Sequence, residues 1–311
     1  MHDELQAKIK TLNELMWEDR LVWSDVERWL SQYASEQSTD SSERLHALFL
    51  LSHFIYFNAT LMRALLRALY RDFVQYPIIA KLRRARGNTL DWASLEPHFQ
   101  RALKKVRFIG IGNPSESGTH LLYYFRQENR IPTELFIHPH ELFDGTSASP
   151  RLISGVNHLV FLDDFCGSGT QARRYSRKLL ARIRDLAGKI RLSYHPLFAT
   201  AAGLNYVRRR SLFTEVEALC ELDESFRALD PSSRYFREDH EPISREFAAE
   251  MCRRYGALIE PGAPLGFGGC QLLIGFAHNI PNNTLPIFWS EGNSERTWFP
   301  LFPRYRKGLN W

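Results

Sequence analysis

Apolar positions in this chain follow two different periods. Over residues 1 to about 102 they recur at helical spacing. Leu5, Ile9, Leu12 and Leu15 mark a helix from Asp3 to Met16, and Val26, Trp29, Leu30 and Tyr33 mark a second after Ser24. SEQSTDSS, Ser35 to Ser42, is polar and loop-like, with Ser41 or Ser42 as N-cap for a helix from Glu43 onward. That helix is apolar around most of its circumference, which places it at the centre of the helical region. A basic stretch, Lys81 to Arg86, and an amphipathic helix, Leu90 to Lys105, complete it.

From Lys105 short apolar runs alternate with helical segments, the mark of an α/β domain with a mainly parallel sheet. Strands are expected at Val106 to Ile111, Leu135 to His138, Leu159 to Leu162, Ile190 to Phe198 and Thr214 to Leu222. Helices fall at Thr119 to Arg126, Ala172 to Leu186 and around Ala201 to Arg209, and a polar stretch covers Pro139 to Asn157. Further on come a helix over Ile243 to Tyr255, a Gly/Pro-rich connection and two apolar pieces around Asn279 to Thr284. The expected organisation is a helical region at 1–102, an α/β core at 103–225 and a C-terminal extension or hood at 226–311.

Composition narrows the class. The 311 residues, 44% hydrophobic and 24% charged, are those of a soluble globular protein, and a net charge of +5 suits phosphate-bearing partners without demanding nucleic acid. Four cysteines without a C-x-x-C pair read as reduced thiols, and MHDELQAKIK lacks the layout of a signal peptide, so a cytoplasmic protein is expected. The apolar run Leu45 to Met62 carries His46, Ser52, His53, Asn58 and Thr60, and reads as a buried core helix rather than a membrane span.

The chemistry concentrates in HLVFLDDFCGSGTQ, His158 to Gln171. A buried strand leads to Asp163 and Asp164, and Gly167-Ser168-Gly169-Thr170-Gln171 opens a helix. Glycines let backbone N–H groups converge, and the helix adds its positive end, so a phosphate fits the loop. Carboxylates accept well from vicinal hydroxyls, while a phosphate needs donors. Adjacent aspartates repel unless a cation or hydroxyl donors share their charge. The plainer alternative is that Asp163 and Asp164 only cap the next helix.

This order resembles the signature of type I phosphoribosyltransferases. The resemblance implies a parallel sheet flanked by helices with a variable hood, and 5-phosphoribosyl-1-pyrophosphate with Mg²⁺ as ligand. It implies that Asp163 and Asp164 meet the ribose hydroxyls, and Mg²⁺ directly or through ligand or water, while Gly167 to Gln171 hold the 5′-phosphate. By position, Gly112 to Gly118 fits a pyrophosphate loop with Ser115 and Ser117 as donors. Pro139 to Asn157 fits a mobile loop, with Arg151 as a candidate pyrophosphate contact; Ser115 and Arg151 read equally well as ordinary loop residues. Gln171 and Gly167 depart from the family's usual residues.

HNIPNNTLPIFW, His278 to Trp289, and WFPLFPR, Trp298 to Arg304, narrow the resemblance to divergent phosphoribosyltransferase-like proteins of bacterial conflict systems. That implies a toxin-like effector in anti-phage defence, with an ATPase and a reverse transcriptase with its non-coding RNA as partners. Asn282 and Asn283 have two readings, contact to a base or ribose, or closure of a tight turn. The function expected is binding of, and transfer or hydrolysis at C1 of, a ribose 5-phosphate unit. The alternatives are an inactive nucleotide-sensing or partner-binding module and a nucleic-acid-binding protein. The last rests on Lys81 to Arg86, Arg173 to Lys178, Arg208 to Arg210 and Arg304 to Lys307.

Overall fold

A computed structural model describes residues 1–33, 40–112, 117–146, 149–187, 189–238 and 241–304. The chain forms two compact units, Met1–Met62 with Leu222–Trp311, and Arg63–Glu221. The boundaries expected from the sequence differ, at 102/103 and 225/226.

The chain opens with α1 (His2–Leu15), α2 (Trp23–Leu30) and α3 (Asp40–Leu51), then β1 (Ile55–Phe57). The run expected as one core helix, Leu45 to Met62, is therefore three elements: the end of α3, β1, and the start of α4 (Ala59–Tyr70). Its polar residues explain the break. Ser52 and His53 return side-chain hydrogen bonds to the Phe49 carbonyl, and Asn58 Oδ1 accepts from Leu61 N at the next helix start. The serines at 41 and 42 fall inside α3 rather than ahead of it.

In the second unit a π turn, Arg71–Gln75, leads to α5 (Tyr76–Arg84) and α6 (Trp92–Leu103), the latter capped by Asp91. Then follow β2 (Val106–Gly110), α7 (Ser117–Asn129), and the hairpin β3 (Phe143–Thr146) with β4 (Ser149–Leu152). The core continues with β5 (His158–Cys166), α8 (Thr170–Ala187), β6 (Arg191–Thr200) and α9 (Ala201–Arg210). It ends in the short β7 (Glu215–Val216) and β8 (Cys220–Leu222), where one strand was expected. Leu135 to His138 is not a strand either. It meets the sheet in a single bridge, Phe108 to Phe136, between two 3-10 turns, the second begun by Pro139.

The sheet runs in the order β2-β5-β6-β7, all parallel, with β8 also on β6. Its central strands are buried almost throughout, as parallel strands covered on both faces must be. On one face Leu159, Phe161 and Tyr194 meet Leu180 and Ile183 of α8 and Leu204 and Val207 of α9. On the other, Phe108 packs on Phe125 of α7, itself against Tyr70.

The chain closes with α10 (Arg245–Ile259) and β9 (Ile274–Phe276), which pairs in parallel with β1 in the first unit. That unit's core is aromatic. The indole N–H groups of Trp29 and Trp298 both donate to the Ile287 carbonyl, at 2.8 and 2.9 Å. Among the described residues no helix is long and apolar enough to cross a membrane.

Candidate functional site

β5 does not stop before the acidic pair. It runs through Asp163 and Asp164 to Cys166, with Asp163 opposite Pro196 and Phe165 opposite Phe198 of β6. Strand alternation puts the two carboxylates on opposite faces of the sheet. Asp163 turns toward the face of α8 and α9, where its Oδ2 accepts from the Tyr194 hydroxyl at 2.9 Å and its Oδ1 from Asp164 N at 3.0 Å. Asp164 lies toward the other face, with Oδ1 accepting from Phe165 N at 2.8 Å.

Burial, then the neighbouring Asp164 charge, pushes the Asp163 carboxyl well above the usual carboxylate range. Burial thus favours the protonated, uncharged form of the Asp163 carboxyl. Among the described residues no group of three or more His, Cys, Asp or Glu is placed to cage a metal. Because the two carboxylates lie on opposite faces, only one of them would reach a given Mg²⁺, whose shell ligand oxygens and water would complete. Burial pushes the Cys166 thiol up to about 12, which disfavours a thiolate there.

The loop Gly167 to Gln171 sits on the β6–α9 junction. Thr200 caps α9 by accepting from Gly203 N at 3.0 Å and donates its hydroxyl to the Gly167 carbonyl at 2.6 Å. Gly169 has φ of +73°, the left-handed region, and a Cβ there would lie 2.7 Å from the Gly203 carbonyl oxygen. The Ser168 hydroxyl donates to Thr170 Oγ1 at 3.0 Å and accepts from Thr170 N at 3.3 Å. α8 begins at Thr170, so its 18 residues point their positive end at the loop. Behind it, Arg173 donates to the Tyr206 hydroxyl at 3.0 Å. A tight loop with hydroxyls and backbone N–H groups at a helix start, one step from two carboxylates, is chemically able to hold an anion.

The residues expected from sequence are distributed as follows. Asp163, Asp164 and Gly167 to Gln171 lie together at the C-terminal ends of the parallel strands and the head of α8. Ser115 lies outside the described residues, and Ser117 opens α7. Arg151 is exposed on β4, in register with Asp144. Asn282 and Asn283 belong to the other unit. There Asn283 Nδ2 donates to the Phe267 carbonyl at 3.0 Å and contacts Cys270 Sγ, and Phe288 and Trp289 are buried.

Three residues of this site escaped the sequence reading: Tyr194, Thr200 and Gly203. Thr200 and Gly203 left a signal, a cap residue before a helix with a glycine three positions on. Tyr194 left none, because it reads as one more apolar position of a buried strand.

The family described as PRTase-CE matches residues 26–304. No protein of curated function matches the chain. Solved structures similar to it include the Helicobacter pylori xanthine-guanine-hypoxanthine phosphoribosyltransferase, 8% identical, covering 54% of this chain and 84% of that one with a TM-score of 0.29. The orotate phosphoribosyltransferase from Aeropyrum pernix is 16% identical over 50% of this chain and 76% of that one, with a TM-score of 0.24. The adenine phosphoribosyl transferase from Trypanosoma brucei, in complex with AMP, pyrophosphate and ribose-5-phosphate, is 13% identical over 70% and 94%, with a TM-score of 0.29.

Proposed function

The chain belongs to the PRTase-CE family, and on that premise we propose that it binds a ribose 5-phosphate unit, as phosphoribosyl pyrophosphate or a nucleotide, at the loop Gly167 to Gln171. The observation that carries this is the loop's construction on Thr200 and Gly203, at the head of α8 and beside Asp163 and Asp164. Ser168, Gly169, Thr170 and Gln171 hold the phosphate, and the two carboxylates take the ribose hydroxyls. Mg²⁺, held by Asp164 with ligand oxygens or water, would stabilise a departing pyrophosphate. The reaction class is displacement at ribose C1, with Ser117 and Arg151 as candidate pyrophosphate contacts.

The test is calorimetry with phosphoribosyl pyrophosphate, and separately with nucleotides, in the presence of Mg²⁺. Wild type is expected to bind, and Asp164→Asn combined with Thr170→Ala to lose at least tenfold in affinity. No heat at millimolar ligand would remove the reading.

A second reading is a sensing module that binds without chemistry. It is favoured by Asp163, which the Tyr194 hydroxyl and the Asp164 backbone N–H hold buried on the face of α8 and α9. Binding without release of pyrophosphate or base supports it, and turnover excludes it. We propose further that the protein is an effector in anti-phage defence alongside ATPase and reverse-transcriptase partners. Protection of a host expressing the locus, lost on Asp164→Asn, is the expected result.

A further inference from the structure

The opposite end of the same sheet carries a second concavity, of about 670 Å³, well inside the range of small-molecule sites. Its floor is where three parallel strands begin, at Val106, His158 and Arg191, which are neighbours in register. One wall is apolar, made by Pro77, Ile78 and Leu82 of α5 and Ala102 of α6. Around it stand Lys81, Arg101, Lys105 and Lys189, all exposed, with Arg191 below.

No carboxylate lines the cavity. Arg191 is neutralised from behind by Glu215, which also accepts from Ser193 at 3.1 Å. Among the described residues the other four cations make no ion pair, so four positive charges face one space without compensation. Like charges gathered this way raise the local potential and favour a polyanion. A cation ring alone suits any phosphate, but the apolar wall adds room for a flat apolar group. Among the lining residues there is no Phe, Tyr or Trp of the kind on which successive bases of a strand stack. A single nucleotide fits this better than a strand of RNA.

We propose that this cavity is a second binding site, for a nucleoside polyphosphate, with the base on the α5–α6 wall and the phosphates on Lys81, Arg101, Lys105 and Lys189. It is distinct from the loop site. His158 to Asp163 spans five residues of one strand, roughly 16 Å at the usual rise. The inference stands on the cavity's own residues and does not depend on what the loop binds.

The experiment is calorimetry of the full chain with ATP, adenosine and a 12-nucleotide single-stranded RNA at two salt concentrations. ATP is expected to bind, several-fold more weakly at the higher salt, and adenosine to give no measurable binding. Lys105→Glu with Lys189→Glu is expected to weaken ATP at least tenfold. Ala85→Trp fills the cavity from an exposed position without changing charge, and is expected to abolish ATP binding too. It decides the matter if the charge-reversed protein does not fold. ATP binding is expected to survive Asp164→Asn with Thr170→Ala, which separates this site from the loop. The proposal is overturned if ATP gives no heat at millimolar concentration, or if its binding is lost with the loop variant and kept by the cavity variants. RNA that binds more tightly and is not displaced by ATP overturns it as well.

Discussion

Gly203 lies so close to Gly167 that a Cβ at position 203 would come 1.9 Å from the Gly167 carbonyl oxygen. The neighbour is backbone, so no rotamer change relieves the clash. The loop beside the acidic pair is therefore shaped by the backbone at the start of α9.

Gly203→Ala is expected to push the loop off the β6–α9 junction, costing about 1–3 kcal/mol as an overpacking change. Ligand affinity should fall more than stability, because the displaced backbone carries the N–H donors. Gly169→Ala should behave alike, since it meets both a close carbonyl and a positive φ. The check is a denaturant curve beside a phosphoribosyl pyrophosphate titration. Unchanged affinity in both variants would show that the loop does not hold the phosphate.

Asp163→Asn is expected to stabilise the protein at neutral pH while weakening ligand binding. The carboxyl's folded-state value lies well above its unfolded one, chiefly through burial. Above the unfolded value of about 3.9 the folded state then binds more protons than the unfolded state, so stability falls as pH rises. Each unit of offset is worth about 1.4 kcal/mol. Asparagine removes that term and can still bond the Tyr194 hydroxyl, which donates or accepts. Melting temperatures from pH 4 to 8 should diverge upward in the variant, and parallel curves would refute this.

Period and burial made most of the α/β core legible. Strands at β2, β5 and β6 and helices at α8 and α9 follow from runs such as Leu159 to Leu162 and from the helical spacing of Ala172, Leu179 and Ile183. Leu135 to His138 misled because an apolar run has strand composition whether or not a partner exists, and here only Phe136 reaches one. The run Leu45 to Met62 misled because its punctuation is three polar side chains rather than Gly or Pro. At the site, Asp163, Asp164 and the loop were readable because their order is local. Tyr194, Thr200 and Gly203 were not, because their roles exist only once β6 is laid beside β5.

The first unit contains a buried charge, Glu43, fully enclosed and hydrogen-bonded by Arg254 and by the Tyr255 hydroxyl at 2.7 Å. Glu43→Ala removes the acceptor of Arg254, which is a third exposed, and of the buried Tyr255 hydroxyl, a loss of about 1–3 kcal/mol. Glu43→Gln keeps the Tyr255 bond and should lose less. Urea denaturation of both variants is the measurement, and equal losses would mean that packing rather than pairing is at stake.

His158 is expected to set the acid limit of the second unit. Its Nε2–H donates to Ser193 Oγ at 2.6 Å, because the Ser193 hydroxyl is committed to Glu215. Burial, then the Arg191 and His195 charges, lowers it to about 3. His195, stacked on Phe73 at 4.6 Å, is lowered to about 4, chiefly by burial. Below pH 6.5 the unfolded chain takes up protons that the folded one refuses, so stability falls with pH from 6.5 toward 3. The full His158 term is at most about 5 kcal/mol. Its sign is opposite to that of Asp163, so the wild-type profile is a difference of the two. Each single variant removes one contribution: His158→Gln, with His195 still opposing Asp163, should lose less melting temperature than wild type as pH drops from 6.5 to 4.5, whereas Asp163→Asn should lose more. Amide exchange along β5 and β6 should open in the same order, and profiles that track wild type in both variants would exclude both assignments.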